Sequence, residues 1–223
     1  MTFQEYPDRE MMFLSLADRL AGELSDFLRR QDRVTFAVPG GTTPGPVFDV
    51  LSGIELDWER VTVVLTDERW VPADAPRSNT RLVHKRLLQG NAAQAQLVPM
   101  IADDPTPQSA LPGLTEGLTP YLPLTVLLAG MGGDLHTASL FAGSAELAEA
   151  LASDAPPLVA TRPAGSEEWR VTLSAPVLRK AMTTHVVITG PEKRAALERA
   201  ADMTVEEAPI RLLLDQATVH WAE

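Results

Sequence analysis

Two residues able to share proton chemistry, Asp134 and His136, stand two positions apart directly after the turn Gly130-Met131-Gly132-Gly133. Imidazole titrates near neutrality, so it can take a proton from water and later return it to a leaving group. A carboxylate two positions away can orient that ring, stabilise its charged form, or simply hold the loop. An apolar run, Leu124 to Ala129, leads into the turn, and the small residues Thr137-Ala138-Ser139 follow as an expected helix start. A buried strand that enters a glycine turn and then a helix is the place where open α/β sheets bind ligands. The blander reading is a tight turn in which His136 caps a helix or bonds to backbone.

Three other segments bear on that choice. Val34 to Val38 reads as a buried strand running into Gly40-Gly41-Thr42-Thr43, with a helical pattern from Val47 to Leu51. Such a loop is either a plain strand-to-helix turn or an anion site made of hydroxyls and free helix N–H groups. It lacks the lysine of a Walker A loop and is not the G-x-G-x-x-G of a dinucleotide site. A second strand, Val61 to Thr66, delivers Asp67-Glu68-Arg69-Trp70 to the same expected sheet edge. Such a charge run is either a solvated surface or part of the site. Ser78 is a candidate N-cap for a helix over 80–88. Lys193 falls in the first turn of an expected helix, 192–201, where a cation opposes the helix dipole; an anion ligand would explain it.

These residues need a scaffold. Met12, Leu16, Leu20, Leu24, Phe27 and Leu28 recur at helical spacing, so 8–30 reads as an amphipathic helix packed on a core. Further strands are expected at 96–101, 157–160, 170–173, 185–190 and 217–221, and further helices at 144–151, 175–182 and 209–214. The prolines and glycines of 103–123 point to a loop with short helical turns. His185 and His220 lie in or beside strands and read as structural, while His84 reads as a surface residue. Alternating strands and helices predict an α/β fold, and 223 residues suit one domain spanning 1–223.

Composition removes several function classes. A net charge of −11 argues against nucleic-acid binding, which needs clustered cations, yet leaves room for a small phosphorylated ligand. Cysteine is absent, so disulfides and thiolate metal sites are excluded, and no His-x-x-x-His pair suggests a metal. The polar N-terminus lacks a signal-peptide core, and no apolar run approaches the ~20 residues of a membrane helix. A cytoplasmic protein, monomeric or weakly dimeric, is the default expectation.

With these segments in order, the sequence resembles the 6-phosphogluconolactonase family. The resemblance rests on Gly40-Gly41-Thr42-Thr43-Pro44, Asp67-Glu68-Arg69-Trp70-Val71-Pro72, Ser78-Asn79, the run Gly130 to Phe141, Arg170-Val171-Thr172-Leu173 and Gly190-Pro191-Glu192-Lys193. It implies a Rossmann-like open, mostly parallel sheet with helices on both faces, shared with glucosamine-6-phosphate deaminases and ribose-5-phosphate isomerases. It also implies hydrolysis of 6-phosphoglucono-1,5-lactone without a cofactor. His136 would then act as base and acid, with Asp134 orienting it. Gly40, Gly41, Thr42, Thr43, Arg170 and Lys193 would hold the phosphate, and Asp67 and Glu68 would meet sugar hydroxyls. Arg69 would serve either the phosphate or the developing oxyanion. Three positions depart from the family: Pro39 replaces its usual Ser, Ala142 its Pro, and Leu135 the Gly between the Asp and the His. If position 135 needs φ > 0, leucine there is strained.

Two rival functions differ in their marks. An amino-sugar-phosphate deaminase would carry Ala-Phe-Asn after the histidine and a nearby Glu supporting the ring. This chain has Ser139-Leu140-Phe141 and no carboxylate until Glu146. A sugar-phosphate sensor would keep the phosphate loop without needing the imidazole, but neither a helix-turn-helix candidate nor a basic patch is present.

Overall fold

Five residues, Met12, Leu16, Leu20, Leu24 and Leu28, recur every four positions and are all buried. That spacing makes one apolar stripe, and burying each side chain contributes roughly 1.5–3 kcal/mol. In the computed structural model, which describes residues 1–223, the stripe lies on a long helix next to a parallel sheet. The first half of the chain runs β1 (Thr2–Glu5), α1 (Arg9–Leu28), β2 (Val34–Val38), α2 (Gly45–Gly53), β3 (Val61–Leu65), β4 (Asp67–Arg69), α3 (Asn79–Arg86), β5 (Gln96–Leu97) and α4 (Pro107–Leu118). The second half runs β6 (Val126–Gly130), α5 (Leu147–Leu151), β7 (Leu158–Thr161), β8 (Arg170–Leu173), α6 (Ala175–Arg179), β9 (Thr183–Thr189), α7 (Pro191–Ala200), α8 (Arg211–Leu214) and β10 (Thr218–Ala222).

The main sheet has the order β1-β10-β9-β6-β2-β3-β5, and every pairing in it is parallel. Every residue of β2 and β3 is buried, so helices cover both faces of the sheet centre, as parallel sheets require. A small antiparallel sheet, β4-β8-β7, stands beside it. From β2 the chain moves outward one way through β3 and β5. It then returns to β6, on the other side of β2, and moves outward through β9 and β10. The strand order therefore reverses between β2 and β6.

Three local expectations are corrected, and one strand forms where the sequence announced no element. Residues 107–118 form α4 despite Pro112 within it. An interior proline costs ~3 kcal/mol, but Ala110, Leu114 and Leu118 bury one face, two of them leucines contributing roughly 1.5–3 kcal/mol each. Thr106 caps this helix, accepting a hydrogen bond from the Ser109 N–H at 3.3 Å. The polar N-terminus forms β1, an edge strand held by pairing with β10 rather than by its own composition. No helix starts at Thr137. Ala138 takes the left-handed φ +49°, which breaks a helix, while the Ser139 N–H donates to Thr172 Oγ1 and the Thr137 hydroxyl to the Gly130 carbonyl. The strand expected over 96–101 shrinks to two residues.

His185 and His220 are structural, as their strand positions suggest. Tyr6 OH meets His220 Nδ1 at 2.8 Å, His220 Nε2 meets His185 Nδ1 at 3.0 Å, and His185 Nε2 meets Glu23 at 2.9 Å. Burial, reinforced by the charges of His185 and Arg19, pushes His220 down to about 3. Burial alone would raise Glu23, but the hydrogen bond and charge of His185 hold it at about 2. In both cases the unfolded chain binds protons before the folded one does. Stability therefore falls as pH drops from about 6.5 toward 3, by up to a few kcal/mol. The urea midpoint is expected to be lower at pH 5 than at pH 7, and the difference to shrink in His220→Gln. Equal midpoints at the two pH values would contradict this.

Candidate active site

The loops leaving β2 and β6 diverge where the strand order reverses, which opens a crevice at the carboxyl ends of the strands. A cavity of about 300 Å³ occupies it, lined by the 39–44 loop, the 130–132 loop and the end of β9. His136, Lys193, Asp67, Arg69 and Arg170 reach the same cavity. Residues from distant parts of the chain thus share one wall because they end neighbouring strands.

The first wall is the loop after β2. Gly41 has φ +91°, a conformation other residues rarely adopt. The backbone N–H groups of Gly41, Thr42 and Thr43 donate to no other protein atom, and α2 begins directly after them. Free amides at a helix start are an anion cradle. Gly40 is small for a different reason: a Cβ there would lie 1.9 Å from Asn79 Oδ1.

Three cations line the same cavity. Arg69 and Arg170 are directly paired across the antiparallel β4-β8 ladder. Like charges so placed repel. Acidic neighbours compensate in part: Arg170 lies 4.0 Å from Asp67 and 3.4 Å from Glu168. Burial lowers the pKa of Arg170, with the Asp67 charge opposing that shift. The Nε atoms of both arginines are buried without a partner. Lys193, in the first turn of α7, donates from Nζ to the Met131 carbonyl at 2.7 Å. Burial lowers its pKa too, and the Asp134 charge opposes the shift. A protein of net charge −11 therefore presents a cationic cavity, which attracts anions to this place.

Between these walls lies the imidazole. His136 Nδ1 donates to Asp134 Oδ1 at 2.5 Å, and the ring packs 4.5 Å from that of Phe141. The hydrogen bond from His136 outweighs burial and holds Asp134 down at about 2. An ionised carboxylate only accepts, so this contact selects the Nδ1–H tautomer and leaves the Nε2 lone pair available. Nothing in the protein bonds to Nε2. Gly132 lies under this pair, where a Cβ would stand 2.1 Å from His136 Nδ1.

Position 135 does adopt φ > 0: Leu135 has φ +69°. Its N–H donates to the Gly132 carbonyl at 3.1 Å, and the Gly132 N–H donates to the His136 carbonyl at 2.9 Å. This is the bonding of a type I turn closed by a left-handed residue, a position where glycine is the default. Leucine costs roughly 1–2 kcal/mol there. The side chain is only 5% exposed and joins the main core, which offsets the strain by roughly 1.5–3 kcal/mol.

Not every expected contact faces the cavity. Glu68 is wholly buried, and its oxygens accept from the N–H groups of Arg69, Asn79 and Thr80 and from the Ser78 hydroxyl. It anchors the start of α3 and is not available to a sugar hydroxyl. Asp67 lines the cavity while accepting from Ser139 at 2.5 Å and Thr66 at 3.1 Å. Asn79 and Ser139 belong to the site's framework although the sequence reading gave them no such role. Asn79 Nδ2 donates to the Asp67 carbonyl, and its amide group fills the space a Cβ at Gly40 would need. The sequence signals for Asn79 were its place beside the Ser78 cap and in the Ser78-Asn79 pair of the family resemblance. No group of three His, Asp or Glu side chains is gathered as a metal site would require. No helix is long and apolar enough to cross a membrane.

Known proteins share this arrangement of the chain. A family model described as glucosamine-6-phosphate isomerases/6-phosphogluconolactonase matches residues 7–221. A 6-phosphogluconolactonase of Rhizobium meliloti is 39% identical over 216 residues, 93% of each chain. One of Caulobacter vibrioides is 36% identical over 225 residues, covering 99% of this chain and 97% of the other. The crystal structure of a 6-phosphogluconolactonase from Shewanella baltica superposes with a TM-score of 0.96 at 32% identity, over 100% of this chain and 98% of that one. With sequence and backbone matched almost end to end, the chain belongs to the glucosamine-6-phosphate isomerase/6-phosphogluconolactonase family.

Proposed function

We propose that this protein hydrolyses 6-phospho-D-glucono-1,5-lactone to 6-phosphogluconate, with His136 as the proton shuttle. The observation that carries the reading is the imidazole: Nδ1 is held by an ionised carboxylate, Nε2 is unpartnered, and the ring shares a cavity with an anion cradle. The activity named for the relatives at 39% and 36% identity supports the same reaction.

The steps follow from ester chemistry. His136 Nε2 takes a proton from water as the water oxygen bonds to the lactone carbonyl carbon. The resulting oxyanion collapses, the bond from that carbon to the ring oxygen breaks, and the imidazolium returns its proton to the ring oxygen. Asp134 stabilises the charged ring between the two transfers. Gly41, Thr42 and Thr43 offer amides and hydroxyls to the phosphate, and Lys193 and Arg170 supply charge. Two guanidiniums facing each other are best neutralised by one dianion, so Arg69 joins Arg170 on the phosphate rather than serving the oxyanion. Asp67 keeps spare lone pairs for a sugar hydroxyl. Water and a proton shuttle complete the reaction, so it asks for no cofactor.

A deaminase of the same family would use a carboxylate beyond the histidine. Here Glu146 accepts from the Ser144 hydroxyl at 2.7 Å, and the carboxylate on the ring is Asp134. A coupled assay with freshly prepared lactone is expected to show 6-phosphogluconate forming in proportion to enzyme, after subtraction of spontaneous hydrolysis. Ammonia release from glucosamine 6-phosphate, with no acceleration of lactone opening, would overturn the assignment.

A further inference from the structure

Leu135 sits between the two residues of the acid–base pair and is tied to the molecule in three ways. Its N–H closes the turn on Gly132, its side chain enters the core, and its carbonyl accepts from the Ile210 N–H at 3.0 Å. Ile210 is itself fully buried and immediately precedes α8. The turn that carries Asp134 and His136 is otherwise mostly exposed: residues 133 and 134 face solvent. A glycine would satisfy the left-handed backbone without strain, yet it would leave this turn with no side-chain anchor.

We propose that Leu135 is a positioning residue: its buried side chain anchors the turn 132–136 in the core, which keeps its carbonyl on the Ile210 N–H and so fixes the His136 ring over Gly132. Its strained backbone and its burial act together: the carbonyl of this left-handed residue meets the Ile210 N–H, while the side chain ties the turn to the core. The imidazole's placement is then set by the C-terminal part of the chain, some seventy residues away in sequence, as well as by Asp134. The kinetic part of this inference rests on the hydrolase reading, but the placement of the turn does not.

The test uses the full chain with Leu135→Gly, Leu135→Ala and Leu135→Met, read by amide hydrogen exchange and by steady-state kinetics. In Leu135→Gly, exchange at the Gly132 and Ile210 amides is expected to quicken at least about tenfold. Its kcat is expected to fall about ten- to a hundredfold with KM little changed, because a loosened ring loses alignment while the phosphate cradle stays intact. Leu135→Met, which keeps apolar bulk with the same backbone demand, restores both. Leu135→Ala provides the same readouts at an intermediate level if the glycine variant does not fold. Unchanged Gly132 exchange in the anchor-less variants would overturn the proposal, and so would a loss shared equally by kcat and KM or a failure of Leu135→Met to restore the signal. If the parent protein shows no turnover, the hydrolase reading fails separately, and the exchange data alone decide whether Leu135 holds the turn.

Discussion

His136→Ala is expected to lower kcat for lactone hydrolysis by about 10²–10⁴-fold while leaving KM close to that of the parent. In the proposed mechanism the ring supplies both proton transfers, and the cavity offers no second free imidazole. Asp67 is bonded to Ser139 and Thr66, and Lys193 is bonded to the Met131 carbonyl. The proposed phosphate contacts, by contrast, are the amides at 41–43 and the cations Arg69, Arg170 and Lys193, none of which the substitution touches. The measurement is a steady-state comparison of the two proteins against lactone concentration, corrected for spontaneous opening. A variant that keeps near-parental kcat would remove His136 from the chemistry.

Gly132→Ala is expected to cost about 10²-fold in kcat without unfolding the protein. An added Cβ would lie 2.1 and 2.2 Å from His136 Nδ1 and Cε1, and 2.4 Å from Asp134 Oδ1. Atoms do not approach so closely, so the ring and its carboxylate must both move. A displacement near 1 Å is enough to misalign a proton transfer. The methyl group projects into the site rather than into the core, so thermal stability should change little. Gly133→Ala is the control: the nearest atom its Cβ would meet is Lys193 Nζ, at 3.9 Å, an ordinary contact. If both alanine variants retain parental kcat, the glycine at 132 is not making room for the catalytic pair.

The parts legible in the sequence share a physical basis, which is local periodicity or local chemistry. The four-residue recurrence from Met12 to Leu28 predicts α1 because a helix brings those positions to one side. Continuous apolar runs predict β2, β3 and β6 because strands buried on both faces need no alternation. Loops at the ends of such strands point to a shared edge, and the cavity does lie there. What escaped was decided by distant partners. β1 is polar and exists through its pairing with β10. α4 forms because its leucines find a core to bury them, which outweighs Pro112. Thr137-Ala138-Ser139 reads as a small-residue helix start, but Ala138 is left-handed and Ser139 is held by Thr172 and Asp67.

The site divides along the same line. Residue type and order alone determined that an imidazole beside a carboxylate and a glycine-threonine loop were the chemical candidates, because acid–base capacity and free amides are properties of the residues themselves. Only the tertiary structure decided which charges face the cavity. Asp67 and Glu68 are adjacent in sequence, yet strand geometry turns the second away to bind the start of α3. Likewise, leucine at position 135 is strained when judged by its backbone alone. Burial in the common core and a backbone bond from Ile210, far along the chain, make it tenable.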